Sequence, residues 1–148
     1  VTQIGFYHLT RTSLEEALPK LLERSLAAGK RALVLCSDED TVARLDALLW
    51  APGPGWLPHG TDRDGDRDLQ PIWLATEPDA ARMAEYLFIT GGQRTAQVGE
   101  YERVFDLFDG NEPAQVAAAR ERWTLWRGQG HRLDYWSQGE RGWEKRAG

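Results

Sequence analysis

Residues 31–36 read RALVLC, a short run of apolar side chains with no polar alternation. A strand with one face in water alternates apolar and polar positions, so an unbroken run implies a strand covered on both faces. Such a chain must place helices above and below a sheet, and the flanking sequence supplies them. Residues 3–9 alternate and are rich in Ile, Phe and Tyr, which predicts a first strand. Between the two runs, Leu14, Leu18, Leu21, Leu22 and Leu26 recur at helical spacing and would bury one stripe. Thr12-Ser13-Leu14-Glu15 offers a capping box with Thr12 as the cap, and Gly29 is placed to end the helix in the left-handed conformation. Pro19 inside a helix deletes one hydrogen bond and crowds the preceding turn, so a kink there, or a helix beginning near it, is expected. Strand, helix, strand with short connections implies a right-handed parallel crossover.

The pattern continues. Ser37 is expected to cap a helix over residues 38–50, acidic in its first turn, with Val42, Leu45, Leu48 and Leu49 facing inward. Residues 51–55 (APGPG) stop it, and residues 61–68 read as an exposed charged loop. Residues 71–75 (PIWLA), 86–90 (YLFIT) and 103–108 (RVFDLF) predict three further strands, with a short helix over 77–83. No repeat or linker divides the chain, so residues 1–148 are expected to form one α/β domain, a three-layer sandwich around a mostly parallel central sheet, Rossmann-like but without a phosphate loop.

Composition narrows the function classes. A single cysteine, Cys36, excludes an internal disulfide and a thiol-based structural zinc site, as a reducing cytoplasm permits. No apolar run approaches a membrane span and no signal-peptide pattern is visible, so a soluble cytoplasmic protein without membrane contact, monomeric on its own, is expected. The net charge of −5 argues against a DNA-coating surface. It is unevenly spread: residues 112–148 hold seven Lys/Arg against five Asp/Glu, leaving 11 against 18 for the rest. That asymmetry points to an acidic partner for the C-terminal part, although a solvated helix face has the same composition.

Catalytic chemistry has no visible carrier. The turn after the first strand, His8-Leu9-Thr10-Arg11-Thr12, has neither GxGxxG nor GxxxxGK[ST], and Gly91-Gly92 is an ordinary turn signal. Asp62, Asp64, Asp66 and Asp68 fail the calcium-loop pattern, because the required Gly falls on Arg67 and the required Glu on Trp73. His8, His59 and His131 are too scattered for a metal site. A nucleophilic pair of Cys36 and His8, at the ends of adjacent predicted strands, is weighed against an inert buried thiol. Neither a metal nor a cofactor is expected.

The last quarter, residues 112–145, carries an alanine-rich helix followed by an aromatic tail. At about 100° per residue, Val116, Arg120, Trp123 and Arg127 fall within roughly a 60° stripe. A guanidinium beside an indole suits an acidic peptide with an aromatic or free-carboxylate end. The competing account makes Val116 and Trp123 core, with the arginines reaching out to water. Aromatics also cluster at Trp50, Trp56, Leu57 and Pro58, and at Trp126, Tyr135, Trp136 and Trp143; Trp and Arg mark interface centres, but loop packing uses them too.

The residues Phe6-Tyr7-His8-Leu9, Gly29-Lys30-Arg31, Leu45-Asp46-Ala47-Leu48-Leu49-Trp50, Trp56-Leu57-Pro58-His59-Gly60 and Gln70-Pro71-Ile72 follow a recognisable order. So do Val104-Phe105-Asp106-Leu107-Phe108-Asp109-Gly110, Ala119-Arg120 with Trp123, and Tyr135-Trp136 with Trp143. Together they resemble the chi subunit of bacterial DNA polymerase III, an accessory protein of the clamp-loader assembly in DNA replication. The resemblance implies a non-catalytic connector that binds the psi subunit on one side and the acidic C-terminal tail of single-stranded DNA-binding protein on the other. It implies a psi surface at Trp50, Trp56, Leu57, Pro58 and His59, which would meet another clamp-loader protein where psi is lacking. It implies a tail pocket around Val116, Arg120 and Trp123. Chi proteins often carry a lysine after the aromatic, where this chain has Thr124, and Arg127 one turn on is the candidate substitute. Association with single-stranded DNA would then be indirect. Two other classes remain: an enzyme of nucleotide or phosphate chemistry on the same scaffold, and a direct single-stranded DNA binder whose tryptophans stack on bases.

Overall fold

The computed structural model describes residues 2–50, 58–61, 71–77, 84–93 and 98–147. In chain order these form β1 (Gln3–Leu9), α1 (Leu14–Ala27), β2 (Ala32–Leu35), α2 (Glu39–Trp50), β3 (Gly60–Thr61), β4 (Ile72–Ala75), β5 (Tyr86–Ile89), β6 (Arg103–Asp109), α3 (Pro113–Gly128), β7 (Arg132–Gly139) and β8 (Gly142–Ala147). One sheet holds all eight strands in the order β3-β4-β2-β5-β6-β1-β7-β8. Every pairing is parallel except β7 with β8. The expected three-layer α/β sandwich with a mostly parallel sheet is present.

The apolar run of β2 is covered on both faces, as its composition demanded. Ala32 and Val34 pack beneath α1 and α2 with Leu18, Leu22, Leu45 and Leu49. Leu33 and Leu35 turn to the other face, which also holds Ala119 and Trp126 of α3. All four β2 side chains are 1% exposed or less, and full burial of each aliphatic one is worth about 1.5–3 kcal/mol.

Local signals came out with small shifts of register. The cap of α1 is Ser13, one residue later than expected: its hydroxyl accepts from the Glu16 amide, and the Glu16 carboxylate accepts from the Ser13 amide. Thr12 is unavailable because its amide and hydroxyl are both engaged by Gln138 of β7. The helix runs unbroken from Leu14 through Pro19, correcting the expected start near the proline; the buried Leu18, Leu21 and Leu22 around it outweigh one lost hydrogen bond. It closes in a Schellman motif, with Gly29 at φ 74°, Gly29 N donating to Leu26 O and Lys30 N to Ser25 O. At α2 the amide of Thr41 donates to the side chain of Asp38 at 2.7 Å, so Asp38 rather than Ser37 caps the helix. All but Glu77 of the expected helix over 77–83 and all but Thr61 of the expected loop over 61–68 lie outside the described residues; Thr61 itself pairs in β3.

The largest addition is at the C-terminus. Residues 132–147, expected as an aromatic tail, form the β7–β8 hairpin and extend the sheet beyond β1. Trp136 stacks on Tyr7 (6.3 Å between centroids, planes 8° apart) and Trp143 stands edge-on to the same ring at 5.1 Å. Trp126 is 1% exposed. Most of the aromatic excess in the tail is therefore packing.

Candidate peptide-binding site

α3 begins at Pro113, whose fixed φ suits the first helical position, and lies across β6, β1 and β7. Its orientation is set by a buried ion pair that the sequence reading missed. Arg122 Nε donates to Asp106 Oδ2 at 2.7 Å and a second guanidinium nitrogen donates to Asp106 Oδ1 at 3.0 Å. Both side chains are 2% exposed or less, and Arg122 also reaches the carbonyl of Gly92. Burial pushes the Asp106 carboxyl above the usual carboxylate range while the guanidinium pulls it back. A charge inside an apolar strand, RVFDLF, and an arginine in phase with Ala119 and Trp126 were the available signals.

With Ala119, Arg122 and Trp126 turned inward, the stripe of Val116, Arg120, Trp123 and Arg127 lies roughly 90° round the helix. Val116 and Trp123 are half-buried at that border; Arg120, Thr124 and Arg127 are exposed. Trp123 packs edge-on against Phe6 (5.4 Å) and Tyr135 (6.0 Å), which fixes its indole. The helix ends in a second Schellman motif around Gly130, at φ 88°, which brings His131 back beside the last turn. The result is a cleft of about 230 Å³ lined by Trp123, Arg127, His131, Leu133 and Ala147.

Two of the five candidate residues, Trp123 and Arg127, thus share one hollow with apolar walls from the hairpin. Arg120 does not line it; burial pushes the Tyr135 phenol up and the Arg120 charge pulls it back, so the guanidinium is within electrostatic reach of that ring. Val116 lies a turn or more from the hollow, and the Thr124 hydroxyl donates to the Arg120 carbonyl. A half-buried indole beside an exposed guanidinium can cover an apolar side chain and hold a carboxylate at once.

The second candidate surface is partly described. Trp50, at the end of α2, is 50% exposed, and Pro58, the residue before His59, is exposed. His59 is buried: its Nε2 lies 2.7 Å from Asp46 Oδ1 and its ring 4.8 Å from that of Trp50. It braces the tryptophan rather than presenting a surface. Trp56 and Leu57 lie outside the described residues.

Elsewhere the geometry assigns other roles. Cys36 is fully buried under α1 and α2, and burial pushes its thiol up to about 11. His8 sits on β1 beside Tyr135, whose hydroxyl is 2.7 Å from its Nδ1, and β6 and β5 lie between β1 and β2. The paired Cys36 and His8 of the sequence reading are therefore apart. Neighbouring strands β1 and β6 send the chain to opposite faces, a switch point of the kind where α/β proteins hold ligands. There the three successive amides of Thr10, Arg11 and Thr12, a potential anion nest, all donate to Gln138 Oε1 at 2.8, 2.7 and 3.1 Å. The place of a phosphate is taken by the protein's own side chain. The aspartates over 62–68 lie outside the described residues. Among the described residues no helix is long and apolar enough to cross a membrane.

Residues 1–134 match the family described as DNA polymerase III chi subunit, HolC. The chain belongs to that family. None of the curated proteins compared with it matches. Chi-family membership makes it an accessory subunit of DNA polymerase III. Several residues that carried the resemblance now have physical reasons. His8 packs on Phe108 at 5.1 Å, and Gly110 must lack a side chain because a Cβ there would run into the His8 ring. The match ends at residue 134, the third residue of β7, so most of the hairpin lies beyond the matched part of this chi chain.

Proposed function

We propose that this chi-family chain is a non-catalytic connector, which holds the acidic C-terminal tail of single-stranded DNA-binding protein in the α3 cleft and meets psi, or another clamp-loader protein, at the Trp50 surface. The observation that carries this reading is the convergence of Trp123, Arg127 and Leu133 on one hollow of about 230 Å³. The indole and Leu133 cover an apolar terminal residue, Arg127 holds the terminal carboxylate, and Arg120 attracts the acidic stretch preceding it. A disordered tail loses conformational freedom on docking, so the charge-assisted bonds must offset that ordering. The exposed arginines make the contact salt-sensitive. Trp50, held by His59, is the anchor of the second surface. Both surfaces leave contact with single-stranded DNA indirect.

Amide and indole chemical-shift mapping with the tail peptide tests the reading. The largest shifts are expected at the Trp123 indole, Arg127, His131 and Leu133. Shifts confined to residues away from α3 and β7 would refute it.

A further inference from the structure

We propose that the groove between α1 and the β7–β8 hairpin, on the sheet face opposite α3, is a separate docking site for an acidic peptide carrying a bulky apolar side chain. The groove encloses about 280 Å³ and is lined by Arg11, Lys20, Leu21, Arg24, Gln138 and Trp143, among others. A smaller hollow of about 110 Å³ shares Leu21 and Arg24 with it and runs on to Tyr7, Phe105 and Arg103. The two hollows adjoin at Leu21 and Arg24, and both combine apolar side chains with cationic ones.

Charge complementarity selects the occupant. Arg11, Lys20 and Arg24 line the groove, and Arg103 the smaller hollow beside it, in a chain whose net charge is −5. The carboxylate that lines the groove, Glu16, is committed to the Ser13 capping box. Among the described residues none of Arg11, Lys20 and Arg24 forms an ion pair. Lys20 and Arg24 stand one helical turn apart on the same face, a like-charge arrangement that opposes the helix until a carboxylate lies between them. Arg103 is held against the rings of Tyr86 and Phe105, with its guanidinium 4.7 Å from the Phe105 centroid.

The groove is also preformed. Gln138 ties the hairpin to three backbone amides ahead of α1, and Trp143 is braced edge-on against Tyr7. Binding therefore pays little for ordering the walls. A nucleic acid would need aromatic faces open to stacking, whereas Trp143 is half-buried and seated on Tyr7, which favours a peptide. Gln138, Gly139, Gly142 and Trp143 all lie beyond residue 134, outside the matched region.

The test uses the full chain carrying Arg127→Ala, which weakens the α3 cleft and leaves this groove intact. An aspartate-rich probe peptide ending in Leu-Phe is added, and the Trp143 indole and α1 amides are followed by NMR. The expected result is saturable shifts at Trp143, Lys20 and Arg24, with affinity falling at least tenfold in Lys20→Glu/Arg24→Glu while the melting temperature holds. Should that double variant unfold, Lys20→Gln with Arg24→Gln gives the same reading with a smaller loss. Absence of shifts at Trp143, equal affinity in the charge variants, or shifts produced by an oligothymidylate and not by the peptide would each overturn the proposal. Because the α3 cleft is weakened throughout and the readout comes from Trp143, Lys20 and Arg24, none of which lines it, failure here leaves the tail-binding reading untouched.

Discussion

Replacing Arg122 by Met would remove the guanidinium while leaving Asp106, 0% exposed, inside the protein. Breaking a buried pair from one side costs about 3–5 kcal/mol, because the remaining charge has neither water nor a partner. For a domain of this size that corresponds to a fall in melting temperature of about 6–20 °C. Converting both partners, Arg122→Met with Asp106→Leu, removes the stranded charge and is expected to recover most of the loss. The deficit also depends on pH. Burial already raises the Asp106 carboxyl, and without Arg122 nothing pulls it back. The folded variant then holds a proton that the unfolded chain releases, so its stability is greatest below the unfolded carboxylate value near pH 4 and declines as pH rises. Urea unfolding at pH 4.5 and pH 7, analysed by linear extrapolation, measures both effects. A loss below about 1 kcal/mol at pH 7, or a deficit that does not shrink in acid, would refute the role given to this pair.

Three further predictions follow from single contacts. Gln138→Ala leaves the amides of Thr10, Arg11 and Thr12 without their shared acceptor; a loss of about 1–2 kcal/mol and faster hydrogen exchange at those three amides are expected, and unchanged exchange would count against the contact. Gly110→Ala drives a methyl into the His8 ring and should cost about 1–3 kcal/mol in chemical denaturation. Cys36, held near 11 in the folded chain against 9.0 unfolded, should react with thiol reagents only on unfolding. Its raised value contributes stability that is fully present below pH 9, and about 2 kcal/mol of that is lost as pH rises to 11, a loss that Cys36→Ala abolishes.

The strands that are buried on both faces were legible as apolar runs, and β1 was bounded correctly at Gln3–Leu9 because its alternation is strong. The hairpin was not. β8 is the edge strand and β7 lies next to it, and apart from Leu133 their side chains are half-buried or exposed, so polar residues interleave with Leu133, Tyr135 and Trp143 and no run forms. The signal present was the glycine pair bracketing a two-residue turn, Gly139 and Gly142, with Gly142 at φ 116°. The cap of α1 was ambiguous because Thr12/Glu15 and Ser13/Glu16 both satisfy the motif. Gln138 on Thr12 and Arg44 on Glu15, at 2.9 Å, decided between them, and both contacts are long-range. At the candidate site the helical phase of Trp123 and Arg127 was readable. That the hairpin would complete the cleft through Leu133 and Ala147 was not, since strand pairing is invisible to a helical wheel.

The central claim is that an indole and a guanidinium beside the hairpin capture an acidic peptide end. Calorimetric titration with the C-terminal tail peptide of single-stranded DNA-binding protein, at two salt concentrations, tests it most directly. The account predicts binding to the wild-type chain that weakens with salt and loses about 1.5–3 kcal/mol in either Arg120→Ala or Arg127→Ala, with no change in melting temperature. Equal affinity in wild type and both variants would contradict it.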